Sequence, residues 1–113
     1  MEMHLIPDDA SLTHVRLVGR LDAAGAEAIG LRFTAAVAAA PRPALVDFSG
    51  VDFVASMGLR LLISAARALR QKGAGLCLYA PQPAVREVLE DAGVDQLLGV
   101  ADQLDAARRH LAG

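Results

Sequence analysis

Asp47-Phe48-Ser49-Gly50-Val51-Asp52-Phe53-Val54-Ala55-Ser56-Met57-Gly58-Leu59-Arg60 is the stretch that decides the fold. Behind it, Ala44-Leu45-Val46-Asp47-Phe48 is a short apolar run bounded by Pro43 and by the Ser49-Gly50 turn signal, which predicts a buried central strand. Ahead of it, Leu59, Leu62, Ile63, Ala66 and Leu69 recur at helical spacing, and Arg60, Ser64, Arg67 and Gln71 fall on the opposite side. That pattern predicts an amphipathic helix ending at Lys72-Gly73, a charged last turn followed by a glycine stop. Ser56 stands at the junction. A serine at a helix start can satisfy orphan backbone N–H groups, and the same donors would stabilise a phosphate on its hydroxyl. The question posed by the sequence is therefore whether Ser56 is a cap or a switch.

Working outward, Met3–Ile6 and Thr13–Val18 read as an antiparallel strand pair joined by the turn-rich Pro7-Asp8-Asp9-Ala10-Ser11. In the second strand Val15, Leu17 and Gly19 alternate with His14, Arg16 and Arg20, so one face is expected to be apolar and the other wet. Residues 23–40 carry Ala26, Ile29, Phe33 and Val37 at helical spacing, with Asp22 as N-cap and Pro41-Arg42-Pro43 as terminator. Beyond the central helix, residues 75–80 read as a strand. Pro81-Gln82-Pro83 breaks it, Val85, Val88, Leu89 and Ala92 define a third helix capped by Gly93, Leu97–Val100 reads as a short fifth strand, and a last helix starts at Asp102 with Leu104, Ala107 and Leu111 inward. This order predicts one α/β domain over residues 1–113, with a mixed four- to five-stranded sheet, mostly parallel after the opening hairpin, and about four helices. Chemistry in such sheets gathers beyond the carboxyl ends of the strands, where the Ser56 loop lies.

Composition narrows the function. The 113 residues carry a net charge of −2 and 4% aromatics, which offers neither a basic footprint nor stacking platforms for nucleic acid. The apolar fraction is 54%, but 23 residues are alanine and no run approaches the length of about 18 that a membrane span needs. Met1-Glu2-Met3-His4 passes into Pro7-Asp8-Asp9 without a leader pattern, so the expected compartment is the cytoplasm. The one cysteine, Cys77, lies in the apolar run Leu76-Cys77-Leu78-Tyr79 and is expected to be a buried small hydrophobe.

Catalytic readings find little support. A nucleophilic Ser56 would need a base, yet His4, His14 and His110 lie in terminal elements, and Ala55-Ser56-Met57-Gly58 lacks the flanks of a nucleophile elbow. Gly19, Gly25 and Gly30 make no dinucleotide fingerprint and read as packing glycines. Asp8-Asp9 and Asp91/Asp95 have no metal-ligand spacing. A receiver domain would use Asp8-Asp9 and Asp47, but it also needs a lysine after a later strand, and the only lysine, Lys72, closes a helix. Asp47 then reads as a strand-end turn former. Beside Ser56, Met57 and Gly58 offer an apolar, low-profile surface that suits a docked partner.

These residues together resemble the STAS domain family of anti-sigma factor antagonists and their relatives, over essentially the full chain. Leu17-Val18-Gly19-Arg20-Leu21-Asp22 is similar to the family's Gly-Glu-Leu-Asp turn, and Leu45 to Phe53 to its central strand and loop. Ala55-Ser56-Met57-Gly58-Leu59 is similar to its Asp-Ser-Ser/Ala-Gly-Leu segment, and Pro81-Gln82-Pro83-Ala84-Val85 through Ala92-Gly93-Val94 to its third-helix region. The resemblance implies a non-catalytic protein without cofactor or metal that works by partner switching. Ser56 would be phosphorylated by a GHKL-type serine kinase that is itself the anti-sigma factor, and dephosphorylated by a PP2C-type phosphatase. Asp22, Asp52, Ser56, Met57, Gly58 and Arg60 would form the partner surface, with Asp52 shaping the phosphoserine pocket and Arg67 merely solvated. Two residues depart from the family pattern: Ala55 stands where an acid precedes the serine, and Arg20 where the turn carries an acid. The alternative within the family is an accessory subunit of an ABC-type lipid transport complex, binding its ATPase.

Overall fold

Each strand and helix of the expected order forms, and strands that follow one another in the chain are neighbours in the sheet. The computed structural model describes residues 1–112; the expected domain limit, Gly113, lies outside the described residues. The strands are β1 (Glu2–Leu5), β2 (Thr13–Leu21), β3 (Ala44–Val54), β4 (Leu76–Tyr79) and β5 (Gly99–Ala101). The helices are α1 (Ala23–Ala38), α2 (Ser56–Gln71), α3 (Pro83–Asp91) and α4 (Leu104–Ala112), with a 3₁₀ turn at Val94–Gln96. The sheet order is β1-β2-β3-β4-β5, antiparallel between the first two strands and parallel thereafter. Because every parallel crossover steps in the same direction, right-handedness puts α1, α2 and α3 over one face and leaves the other to α4.

Strand alternation divides the core accordingly. Val15, Leu17, Val46, Phe48 and Leu78 meet Ile29, Phe33, Leu62, Leu69, Val85 and Leu89 in one large cluster. On the other face Leu45, Cys77 and Tyr79 meet Ala107, flanked by Leu104 and Leu111. Cys77 is fully buried, and that burial raises its thiol pKa to about 11, which leaves it an inert small hydrophobe as the sequence suggested.

Two expectations need correction. First, the central strand does not stop at Phe48: β3 runs eleven residues, through the Ser49-Gly50 turn signal to Val54. Asp47 Oδ1 accepts hydrogen bonds from the Ser49 amide (2.9 Å) and hydroxyl (2.7 Å), a local Asx arrangement inside the strand. The pairing with β2 absorbs the irregularity through two register shifts, Arg16↔Asp47 followed by Val18↔Gly50, and Gly19↔Val51 followed by Arg20↔Phe53. In each, β3 contributes one extra residue, as a bulge does. Asp47 is thus a mid-strand residue that also holds Arg16 (3.2 Å), and not a strand-end turn former.

Second, His14 is buried and not on a wet face. Its ring is in contact with Asp8 Oδ2 through Nδ1 (2.9 Å) and with the Tyr79 hydroxyl through Nε2 (2.6 Å). The same Asp8 oxygen accepts from Arg108 of α4 (3.0 Å), so this network ties the β1–β2 loop and α4 to the second face. Lys72 ends α2 as expected, and its Nζ also donates to the carbonyls of Ala38 and Ala39 at the end of α1. β2 runs three residues past the expected Val18, to Leu21, and the ends of β1, α1, β4, β5 and α4 differ from expectation by one or two residues.

Candidate functional site

The carboxyl ends of β2 and β3 lie side by side, with Arg20 opposite Phe53 and Leu21 opposite Val54. Both strands turn directly into helices there. Asp22, in extended backbone, caps α1 by accepting from the Gly25 amide (2.8 Å), the role its position suggested. That bond, with help from the Arg20 guanidinium and against partial desolvation, holds the Asp22 carboxyl below its ordinary pKa.

The start of α2 is pinned to β2 by the Ala55 amide, which donates to the Leu21 carbonyl (3.0 Å). Gly58 follows in the first turn and is buried. A Cβ there would lie 2.4 Å from Leu21 O and 2.6 Å from Leu21 Cγ, so only glycine admits this approach of helix to strand. Gly25 does the same for α1, where a Cβ would come within 2.1 Å of the Arg20 carbonyl. Two glycines therefore let two helix starts close on the end of one strand.

Ser56 is not the N-cap. Ala55 occupies that position (φ −118°, ψ 178°) and, having only a methyl group, provides no side-chain acceptor. Ser56 is the first helical residue. It is exposed, and among the described residues its hydroxyl makes no hydrogen bond. The first-turn amides of α2 are consequently open to solvent or to an added acceptor.

Around Ser56 the expected partner residues divide. Met57 is 47% exposed, and Arg60 is exposed one turn further on with no ion pair among the described residues. Asp22 sits on the adjoining loop, and Asp52 is exposed near the end of β3. Gly58 does not reach the surface; its contribution is to seat the turn that displays Ser56 and Met57. A further pair joins this rim: the Arg20 guanidinium lies over the Phe53 ring at 4.1 Å and reaches Asp22 Oδ2 at 3.4 Å. None of the three histidines is placed beside Ser56: His4 pairs opposite Arg16, His14 lies near the start of β2, and His110 packs on Gly99. Among the described residues no three His, Cys, Asp or Glu side chains stand together as metal ligands, and no helix is long and apolar enough to cross a membrane.

Sequence reading missed the wall that faces this turn. A groove of about 600 Å³ runs between α1 and α2, with Met57, Arg60, Leu61 and Ser64 on one side and Leu31 and Thr34 on the other. Leu31 is 89% exposed. The signal was present in the spacing: residues 23, 26, 27, 30, 31 and 34 form a second helical stripe on α1, beside the inward stripe of Ile29, Phe33 and Val37.

Comparison with known proteins agrees with this architecture. A family model described as Mlab, STAS domain, matches residues 6–99. The provisionally named anti-sigma factor antagonist BtrV of Bordetella bronchiseptica is 34% identical over 91 residues, which is 80% of this chain and 78% of BtrV. Among solved structures, a STAS-domain anti-sigma-factor antagonist protein from Planctomyces limnophilus superposes with a TM-score of 0.86 at 24% identity, over 98% of both chains. An anti-sigma factor antagonist from Mycobacterium paratuberculosis gives 0.83 at 25% identity, over 99% of this chain and 96% of that one. The chain belongs to the STAS domain family.

Proposed function

We propose that this STAS-domain protein is a non-catalytic anti-sigma factor antagonist of the cytoplasm, which binds a GHKL-type serine-kinase anti-sigma factor and is switched by phosphorylation of Ser56. The observation that carries the reading is the state of Ser56: an exposed hydroxyl without a hydrogen-bond partner, on the first turn of an uncapped sixteen-residue helix. Nothing must be broken to modify it. A phosphate at that position would accept from the open first-turn amides and lie at the positive end of the α2 dipole. The name of the relative BtrV supports the same role.

Switching follows from charge. In the unmodified protein the surface beside Ser56 carries the half-exposed Met57, an apolar side chain that a partner can cover. Phosphorylation adds roughly −1.5 to −2 charges at the centre of that surface. Asp22 and Asp52 on its rim make the added charge harder to bury against a partner, and Arg60, four residues along α2, faces it from the helix side. A loss of about 1.4 kcal/mol already weakens binding tenfold. A PP2C-type phosphatase would restore the binding form.

The test is incubation with a GHKL-type serine kinase encoded in the same genome and ATP, followed by intact-mass analysis. One phosphate is expected, absent in Ser56→Ala, and Ser56→Asp should bind the kinase at least tenfold more weakly than the unmodified protein. Phosphate on another residue, or equal binding by wild type and Ser56→Asp, would falsify the reading. A second reading, the alternative that the family resemblance left open, is an accessory subunit that binds the ATPase of an ABC-type lipid transporter. Capture of such an ATPase by purified protein, with no phosphate acquired from any GHKL kinase, would select it.

A further inference from the structure

The four helices are not held alike. Phe33 of α1, Leu62 of α2 and Leu89 of α3 are fully buried in the large apolar cluster, to which no described residue of α4 belongs. α4 joins only the small cluster on the other side of the sheet. Of its nine residues Ala107 alone is buried, while Leu104 and Leu111 pack against that cluster and stay partly exposed. Alanine carries little apolar area, so docking removes little such surface from water. A helix this short is also marginal by itself, since isolated helices below about 12–15 residues scarcely persist in water. Leaving the sheet and unwinding are therefore one event.

The other contacts of α4 are polar and lie towards solvent. His110 packs on Gly99 of β5, and Arg108 donates to Asp8 (3.0 Å) and lies 3.7 Å from Asp9, both in the β1–β2 loop. These three charged side chains are each about one-third exposed, where water screens an ion pair. Asp8 keeps a second partner in buried His14, so it stays in place when Arg108 departs. We infer that α4 is a releasable strap: it lifts from the sheet as one unit while the sheet and α1, α2 and α3 stay folded, and the pairing of Arg108 with Asp8 and Asp9 is its latch. Lifting uncovers Leu45, Cys77 and Tyr79, an apolar strip that carries the chain's one thiol. Cys77 thereby reports on the strap. With α4 docked the thiol is fully buried and its pKa is pushed up to about 11, so it is inert; uncovered, it reacts as an ordinary exposed cysteine.

The test is the rate at which dithiobis-nitrobenzoate labels Cys77 without denaturant: the thiolate forms a mixed disulfide and one thionitrobenzoate leaves, read by absorbance and intact mass. Two variants separate the strap from the core. Ile29→Val weakens only the large cluster and raises global unfolding about two- to tenfold, yet it should leave the labelling rate as in the wild type. Arg108→Gln removes the latch and should raise the labelling rate about two- to fivefold. A third, Ala107→Asp, puts a charge under the docked helix. It should label as fast as urea-unfolded protein, while amide hydrogen exchange in β3 and α1 stays slow. Labelling that accelerates in Ile29→Val by the same factor as global unfolding overturns the inference, because α4 then leaves only when the whole molecule unfolds. Rapid exchange in β3 and α1 of Ala107→Asp overturns it for the same reason. An unchanged rate in Arg108→Gln overturns the latch.

Discussion

At the residue scale the decisive difference is between positions 55 and 56. The sequence placed Ser56 at the start of a helix, and the structure shifts the cap by one residue to Ala55, which has no group with which to cap. This one-residue offset was not legible, because boundary signals in a sequence locate a helix start only to within a residue or two. It changes the chemistry of the serine. A capping hydroxyl would be occupied, and its removal would cost about 1 kcal/mol. The Ser56 hydroxyl is unoccupied, so Ser56→Ala should leave the urea midpoint and the melting temperature unchanged while abolishing phosphate acceptance. Ala55, by contrast, already has extended cap geometry, and Ala55→Asp should accept from the first-turn amides and stabilise the protein by about 0.5–2 kcal/mol, read as a higher urea midpoint at constant slope. A destabilised Ser56→Ala or an unaltered Ala55→Asp would show that the first turn of α2 is satisfied in some other way.

At the scale of elements, the site is made by two helices closing on the end of β2. The helices themselves were legible, since Ile29, Phe33 and Val37 in α1 and Leu62, Ala66 and Leu69 in α2 repeat at the period of one buried face. The manner of closure was not, because the sequence presents Gly25 and Gly58 as ordinary small residues and only the backbone beneath them shows that a Cβ has no room. The same limit hid the length of β3. Ser49-Gly50 is a turn signal by composition, and only pairing with β2, with its two bulges, carries the strand through to Val54. Gly58→Ala tests the closure directly. The methyl group must displace Leu21 or lift the first turn of α2, at a cost of about 1–3 kcal/mol, and a lifted turn misplaces Ser56 and Met57 together. Urea denaturation should show the loss of stability, and phosphorylation assays should show slower modification although Ser56 is intact. If Gly58→Ala were as stable and as readily modified as the wild type, the contact with Leu21 would not be what seats the turn.

For the whole molecule, the sheet separates two kinds of face. The face under α1, α2 and α3 is apolar throughout, whereas the face that α4 covers mixes a small apolar cluster with a polar network of Asp8, His14, Tyr79 and Arg108 and, alongside it, the pair Arg16–Asp47. The alternation of His14 and Arg16 predicted a wet face there, and it failed at His14 because α4 returns over that part of the sheet, a tertiary event that strand periodicity does not encode. The arrangement makes the stability of the molecule depend on acid. Burial alone would raise the Asp47 carboxyl, but the hydroxyl and amide of Ser49 and the guanidinium of Arg16 outweigh it and hold the pKa below the ordinary value. Asp8 is lowered as well, chiefly by its hydrogen bond with His14. A carboxyl whose pKa is lower folded than unfolded contributes stability that is fully present above the unfolded value, about 3.9, and is lost as pH falls through the folded one. Unfolding by urea should therefore show a plateau of stability above about pH 5 and a decline below pH 4. Asp47→Asn removes one ionisable member of this set, and its deficit relative to the wild type should be largest on the plateau and shrink as pH falls below 4. A deficit of the same size at pH 3 and pH 6 would mean that the charge on Asp47 contributes nothing and that its role is confined to the Asx bonds that shape the bulge in β3.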